Sequence, residues 1–340
     1  MYERLTTDIS KAPGARAHAA DRAASPGAAV LRGFLATFAL QDAILIGYLG
    51  IIITLLLRSE PSAVQAESVR RNLACAMGLV LCCVFARSAT SVSPAIRSAV
   101  YRVVLIGQVL LNYLLLRAIL PIVRPDSLDA EMLRLDLALF GVEPALWLER
   151  FNTRPVVEWF SFFYYSYFFI CGAYMLVSVW LRRPGRHTSE FAIGTALVYC
   201  VGQLGYMAVP GHGPIVALRH MFHGPIDGGF FWGLVHEAVQ AGGAMKDIFP
   251  SLHTAGPLWF ALYAFHCAKT DRRFFWPAVV SLFFSVNIII STMFLRWHYA
   301  IDVVAGISLA VGARWATPRI ARWEEELRAR LGEPHPWNFK

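Results

Sequence analysis

The run Phe249–Gly306, FPSLHTAGPLWFALYAFHCAKTDRRFFWPAVVSLFFSVNIIISTMFLRWHYAIDVVAG, holds two apolar segments, a cationic turn between them and a polar cluster at each outer end. Segments 252–268 and 274–295 read as two helices through a bilayer, joined at Lys269-Thr270-Asp271-Arg272-Arg273. Such a hairpin puts both polar ends, FPSLHTA and RWHYAIDVVAG, on the same side. Ionisable groups at a membrane boundary are costly, so they are by default functional. A helix starting near Trp297 places His298 and Asp302 four apart on one face. The carboxylate then holds one imidazole nitrogen and frees the other for chemistry.

Composition agrees with this reading. The 340 residues are 56% hydrophobic and 16% charged, with mean hydropathy +0.49, whereas a soluble domain is about a quarter charged. The net charge of +8 comes from basic residues in short loops and both tails, as membrane topology predicts, and does not indicate nucleic acid. The six cysteines lie in hydrophobic runs without a CxxC pattern and read as small buried residues.

The expected fold is an all-α polytopic helix bundle of about eight spans: 34–57, 72–86, 101–123, 157–181, 191–210, 252–268, 274–295 and 299–318. Residues 1–33 read as a disordered cytoplasmic tail, 34–100 as two accessory spans, 101–318 as a six-span core, and 319–340 as a second cytoplasmic tail. The core carries two outer loops, 124–156 and 211–250. The first, with Asp129, Glu131, Asp136 and Glu143 among leucines, reads as a helical hairpin on or re-entering the membrane. The second, rich in glycine and histidine, reads as irregular. The cationic loops 182–186 and 269–273 belong in the cytoplasm. Parity then places both tails inside and both motifs on the extracytoplasmic face.

Pro250-Ser251-Leu252-His253 resembles the second signature, PSGH, of the type 2 phosphatidic acid phosphatase superfamily. Ser291-Thr292, His298 and Asp302 have the spacing of its third, SR-x5-H-x3-D. The fuller strings are similar to the inositol phosphorylceramide synthase branch, an inositolphosphotransferase family named for aureobasidin resistance. The resemblance implies a metal-independent lipid phosphatase or phosphotransferase without a cofactor. His298, oriented by Asp302, is the implied nucleophile and carries a phosphohistidine, while His253 is the implied general acid. Ser251, Arg296 and backbone amides at the start of the following span are implied phosphate ligands. Leu252 and Thr292 depart from the signatures, and Arg296 is the expected substitute for the arginine that Thr292 replaces. The first signature, K-x6-RP, has a partial match at Arg117-x6-Arg124-Pro125, two spans early. Arg124, Lys246 and Arg219 are therefore further candidates for binding phosphate.

The expected partners are a phospholipid or lipid phosphate, water or an alcohol acceptor, and the cell membrane itself. Plainer readings stand beside these. His298 and Asp302 alone suit a buried helix-start pair. His212, His220, His223 and His236 read as solvated loop histidines and fit no common metal spacing. Gln41 and Asp42 suit a polar helix contact or a transport relay. The aromatic run Phe160–Phe169 suits packing or an acyl-chain cleft. A transporter would spread its charges near mid-span, whereas here they cluster at the span mouths; a non-catalytic lipid-binding protein would have no need of intact His253, His298 and Asp302.

Overall fold

The computed structural model describes residues 26–180, 185–243 and 245–339, and among them it is helical without strands. Residues 1–25 of the expected tail and 182–184 of the expected cationic loop lie outside the described residues. The α-helices of five or more residues are α1 (Pro26–Thr37), α2 (Leu40–Arg58), α3 (Ala63–Ser88), α4 (Pro94–Val123), α5 (Asp129–Phe140), α6 (Pro144–Leu148), α7 (Arg154–Trp180), α8 (Arg186–Ala208), α9 (Phe230–Gly242), α10 (Leu252–Ala268), α11 (Phe275–Phe294) and α12 (Ala300–Leu331). Seven of these segments, α2, α3, α4, α7, α8, α11 with its preceding turn, and α12, are long and apolar enough to cross a bilayer. The chain is an integral membrane protein with an all-α bundle.

The remaining expected span is α10, only 17 residues long, or about 25 Å at 1.5 Å per residue. It lies at the centre of the bundle against α7, α8, α11 and α12. Ala255, Phe260, Ala261 and Ala264 have no exposed surface, so most of the circumference of α10 is enclosed and its sequence reads as apolar all round. Gly306 permits a close approach of α12 to the start of α10. A Cβ there would lie 2.5 Å from the Ser251 carbonyl oxygen and 3.0 Å from Thr254 Cβ.

Several elements extend past their expected bounds. α3 begins at Ala63 instead of 72, capped by the Ser62 hydroxyl, which accepts from the Gln65 amide at 3.0 Å. Its polar first turns carry Glu67, Arg70 and Arg71, which pair with one another. α12 continues from the expected end at 318 to Leu331, and Gly332 closes it in a left-handed C-terminal turn with φ +72°. Trp337 and Phe339 then pack on Tyr101 at 5.1 and 5.6 Å, tying this end of the chain to α4.

Gln41 and Asp42 lie in a buried polar network. Asp42 accepts from Tyr101 Oη at 2.6 Å and Arg87 Nη2 at 2.9 Å, and Gln41 donates to Tyr101 Oη at 2.9 Å. The loop 124–156 is a helical hairpin, α5 and α6, turning at Gly141 with φ +72°. The loop 211–250 is not irregular throughout, because α9 forms within it. Glu158 of α7 accepts from the amides of Gly229, Phe231 and Trp232 at 2.9–3.0 Å and satisfies the donors that open α9.

Candidate active site

Ser251 is the N-cap of α10, its hydroxyl accepting from the Thr254 amide at 3.3 Å. His253 therefore falls in the first turn. At the other motif the chain leaves α11 and turns back through Leu295–Tyr299 into α12. Arg296 makes the turn with φ +66°, a conformation uncommon for a residue with a Cβ. The Trp297 and His298 amides both donate to the Thr292 carbonyl, at 2.9 and 3.1 Å. Gly213 (φ +79°) packs on this turn, where a Cβ would lie 2.2 Å from the Trp297 carbonyl oxygen. Only glycine fits there.

Three carboxylates fix the start of α12. Asp302 Oδ2 accepts from the Tyr299 amide at 3.1 Å and lies 3.5 Å from His298 Nδ1. That pair is longer than a good hydrogen bond, and His298 Nδ1 is buried without a hydrogen-bond partner among the described residues. Asp136 of α5 accepts from the Ala300 and Ile301 amides at 2.7 and 2.8 Å, capping α12 from a different helix. Asp129, seven residues earlier on α5, accepts from Tyr299 Oη at 3.1 Å and from the Gly213 amide at 2.9 Å. The Ser251 amide donates to the Asp302 carbonyl at 3.0 Å, so α10 and α12 are joined where both motifs begin.

This framework brings the two histidines together, with ring centroids 6.1 Å apart. His253 stacks on Tyr164 at 4.5 Å and lies 4.3 Å from Tyr167, both on α7. Its Nε2 is buried without a hydrogen-bond partner. A cavity of about 270 Å³ opens beside them, lined by His212, His253, His298, Asp247, Tyr113 and Tyr164, with an apolar wall from Leu110, Leu114 and Phe168. Burial pushes the His298 imidazole down to about 4, against the opposing pull of Asp247 and the Ile248 carbonyl. Burial thus favours the uncharged form of the ring.

The structure thus unites His253, His298 and Asp302, and it places Ser251, Arg296, Lys246 and Arg124 outside the cavity lining. The Ser251 hydroxyl is fully buried in its capping role. Arg296 donates to the Gly224 carbonyl at 2.9 Å and to Glu149 at 3.2 Å, with its guanidinium 3.8 Å over Phe222. Lys246 Nζ donates to the carbonyls of Arg124, Pro125 and Asp126. Arg124 pairs with Asp126 at 2.8 Å and donates to the Met207 and Ala208 carbonyls. Arg219 is exposed in the loop.

Residues that sequence reasoning did not place here are Tyr164, Tyr167, Asp247, Asp129, Asp136 and His212. Two of these pairs carry a usable signal. Tyr164 and Tyr167 are three apart within the aromatic run, and Asp129 and Asp136 are seven apart in a leucine-rich segment, so each pair shares a helix face.

A family model described as the PAP2 superfamily matches residues 130–316, more than half of the chain. The match runs from α5 into α12 and includes both histidines, Asp302 and Asp136. Neither a curated protein nor a solved structure matches the chain. On the strength of the matched span, with the two motifs inside it, the chain belongs to the PAP2 superfamily.

Proposed function

We propose that this phosphatase- or phosphotransferase-type lipid enzyme moves a phosphoryl or phospho-head group by way of a covalent intermediate on His298. The observation that carries the reading is the pair of histidines facing one cavity, with His298 Nδ1 beside the fully buried Asp302. With Nδ1 turned to the carboxylate, Nε2 is the attacking nitrogen. It forms the P–N bond as the P–O bond to the lipid leaving group breaks, and His253 gives that alkoxide its proton. Water or an alcohol then attacks phosphorus, the P–N bond breaks, and His253 takes the proton of the incoming nucleophile. The unpartnered Nε2 of His253 suits a group whose hydrogen-bond partner is the substrate.

Tyr164 and Tyr167 hold the His253 ring in place, and the apolar wall of Leu110, Leu114 and Phe168 suits a lipid chain. Leu110 and Leu114 are more than half exposed on α4, which supports entry of lipid sideways from the bilayer. The cationic turn 269–273 at the far end of α10 supports an extracytoplasmic site. Resemblance to the inositol phosphorylceramide synthase branch favours an alcohol over water as acceptor.

The test is turnover of a phospholipid panel, including phosphatidic acid and phosphatidylinositol, by detergent-purified protein with and without ceramide or other alcohols. A new acceptor-dependent phospholipid is the expected product. Soluble phosphate alone would make the enzyme a lipid phosphatase. Neither product from a folded sample would refute the reading.

A further inference from the structure

A phosphoryl group bound beside His298 carries negative charge that needs donors around it. Among the described residues no lysine or arginine lines the cavity, and Arg124, Lys246 and Arg296 are each committed to carbonyls or carboxylates elsewhere. A third histidine does line it. His212 donates its backbone amide to Asp129 at 2.9 Å, and its Nδ1 lies 3.3 Å from the same carboxylate oxygen. Its Nε2 makes no hydrogen bond to the described residues, and the side chain is one-third exposed.

The His212–Asp129 pair parallels the His298–Asp302 pair, and Tyr299 joins the two: its amide donates to Asp302 and its hydroxyl to Asp129. Asp129 is 9% exposed and also holds the Gly213 amide, so the carboxylate fixes both the ring and the loop that carries it. With Nδ1–H committed to Asp129, Nε2 is the nitrogen left for a ligand.

We infer that His212 is a ligand to the non-bridging phosphoryl oxygens of the substrate, held in register with the nucleophile by Asp129 and Tyr299. An imidazolium between Asp129 and a phosphoryl oxygen donates to an anion on each side. This assignment rests on the phosphoryl-transfer reading above.

The test measures the KM for the phospholipid turned over and the inhibition constant of inorganic orthophosphate. The proteins are purified wild type, His212→Ala, His212→Gln, His212→Arg and, as a control, His220→Ala in the exposed part of the same loop. Loss of one charge-assisted hydrogen bond is expected to weaken orthophosphate by about 10- to 100-fold in His212→Ala and to raise KM more than it lowers kcat. His212→Arg is expected to recover most of the affinity, and His220→Ala to match wild type. His212→Gln keeps a hydrogen-bonding side chain beside Asp129 without the charge, so it decides the matter if His212→Ala does not fold. Unchanged orthophosphate affinity and KM in the folded variants overturn the assignment and leave phosphoryl transfer standing. Wild type that neither turns over a phospholipid nor binds orthophosphate overturns both.

Discussion

Gly306→Ala is expected to separate the two halves of the site without touching a reacting group. The added methyl would lie 2.5 Å from the Ser251 carbonyl oxygen, where ordinary contact begins at 3.4 Å, a shortfall of about 0.9 Å. The obstacle is backbone, so no rotamer change relieves it. Thr254 Cβ, at 3.0 Å, blocks a sideways escape. α10 and α12 must part, and the hydrogen bond from the Ser251 amide to the Asp302 carbonyl lengthens with them. His253 rides on the first turn of α10 and His298 on the turn before α12, so their separation grows by a similar amount. Overpacking of this kind costs about 1–3 kcal/mol of stability, and a 1 Å misplacement at a reacting centre costs about 100-fold in rate. The assay is kcat on the phospholipid turned over, together with thermal unfolding in detergent. Gly312→Ala, on the same helix with nothing within 4 Å of its Cβ, is the control and is expected to be neutral or slightly stabilising. Wild-type kcat in folded Gly306→Ala would show that the close approach of α10 and α12 does not set the site.

Two further perturbations act on the carboxylates that frame α12. Asp136→Asn turns an amide donor toward one of the two backbone N–H groups that the carboxylate now accepts. It is expected to cost about 2–3 kcal/mol and to lower kcat, and an unchanged melting temperature would remove Asp136 from this role. Glu143, 1% exposed, is pushed up to about 7 by burial, with Asp136 and Asp302 adding to the effect. Its folded form holds a proton that the unfolded chain releases near 4.5. Stability is therefore lost as pH rises from 4.5 through 7, by at most about 3 kcal/mol. Glu143→Gln keeps the acceptor for the Ala145 amide and is expected to gain stability over wild type between pH 4.5 and pH 8. A difference in melting temperature that stays constant across that range contradicts the assignment.

The hydrophobic segments were legible because a bilayer demands long apolar runs, and the reach of α3 and α12 was not, because a helix continues past the apolar part wherever side chains can pair. Glu67 with Arg70 and Arg71 does this at the start of α3, and Glu324 with Arg328 near the end of α12. α9 was hidden by the glycines around it, since the group that opens it, Glu158, lies on another helix. The meeting of His253, His298 and Asp302 was legible because their spacing within two short motifs determines their geometry once both motifs start helices on one side. The positions of the cationic groups expected to bind phosphate were not, because nearness in sequence does not say where a long side chain ends. Arg296 is two residues from His298, yet its guanidinium lies on Glu149. From the sequence His212 reads as a solvated loop residue, because its partner, Asp129, lies 83 residues away on α5.

In the proposed mechanism His298 carries the transferred group. The direct measurement is a rapid quench of wild type and His298→Ala with phospholipid labelled at phosphorus, followed by mapping of the protein-bound label. An acid-labile adduct is expected on the peptide containing His298 in wild type, with none in His298→Ala and no turnover by that variant at an unchanged melting temperature. Turnover by His298→Ala at the wild-type rate, or label on a different residue, would contradict this mechanism.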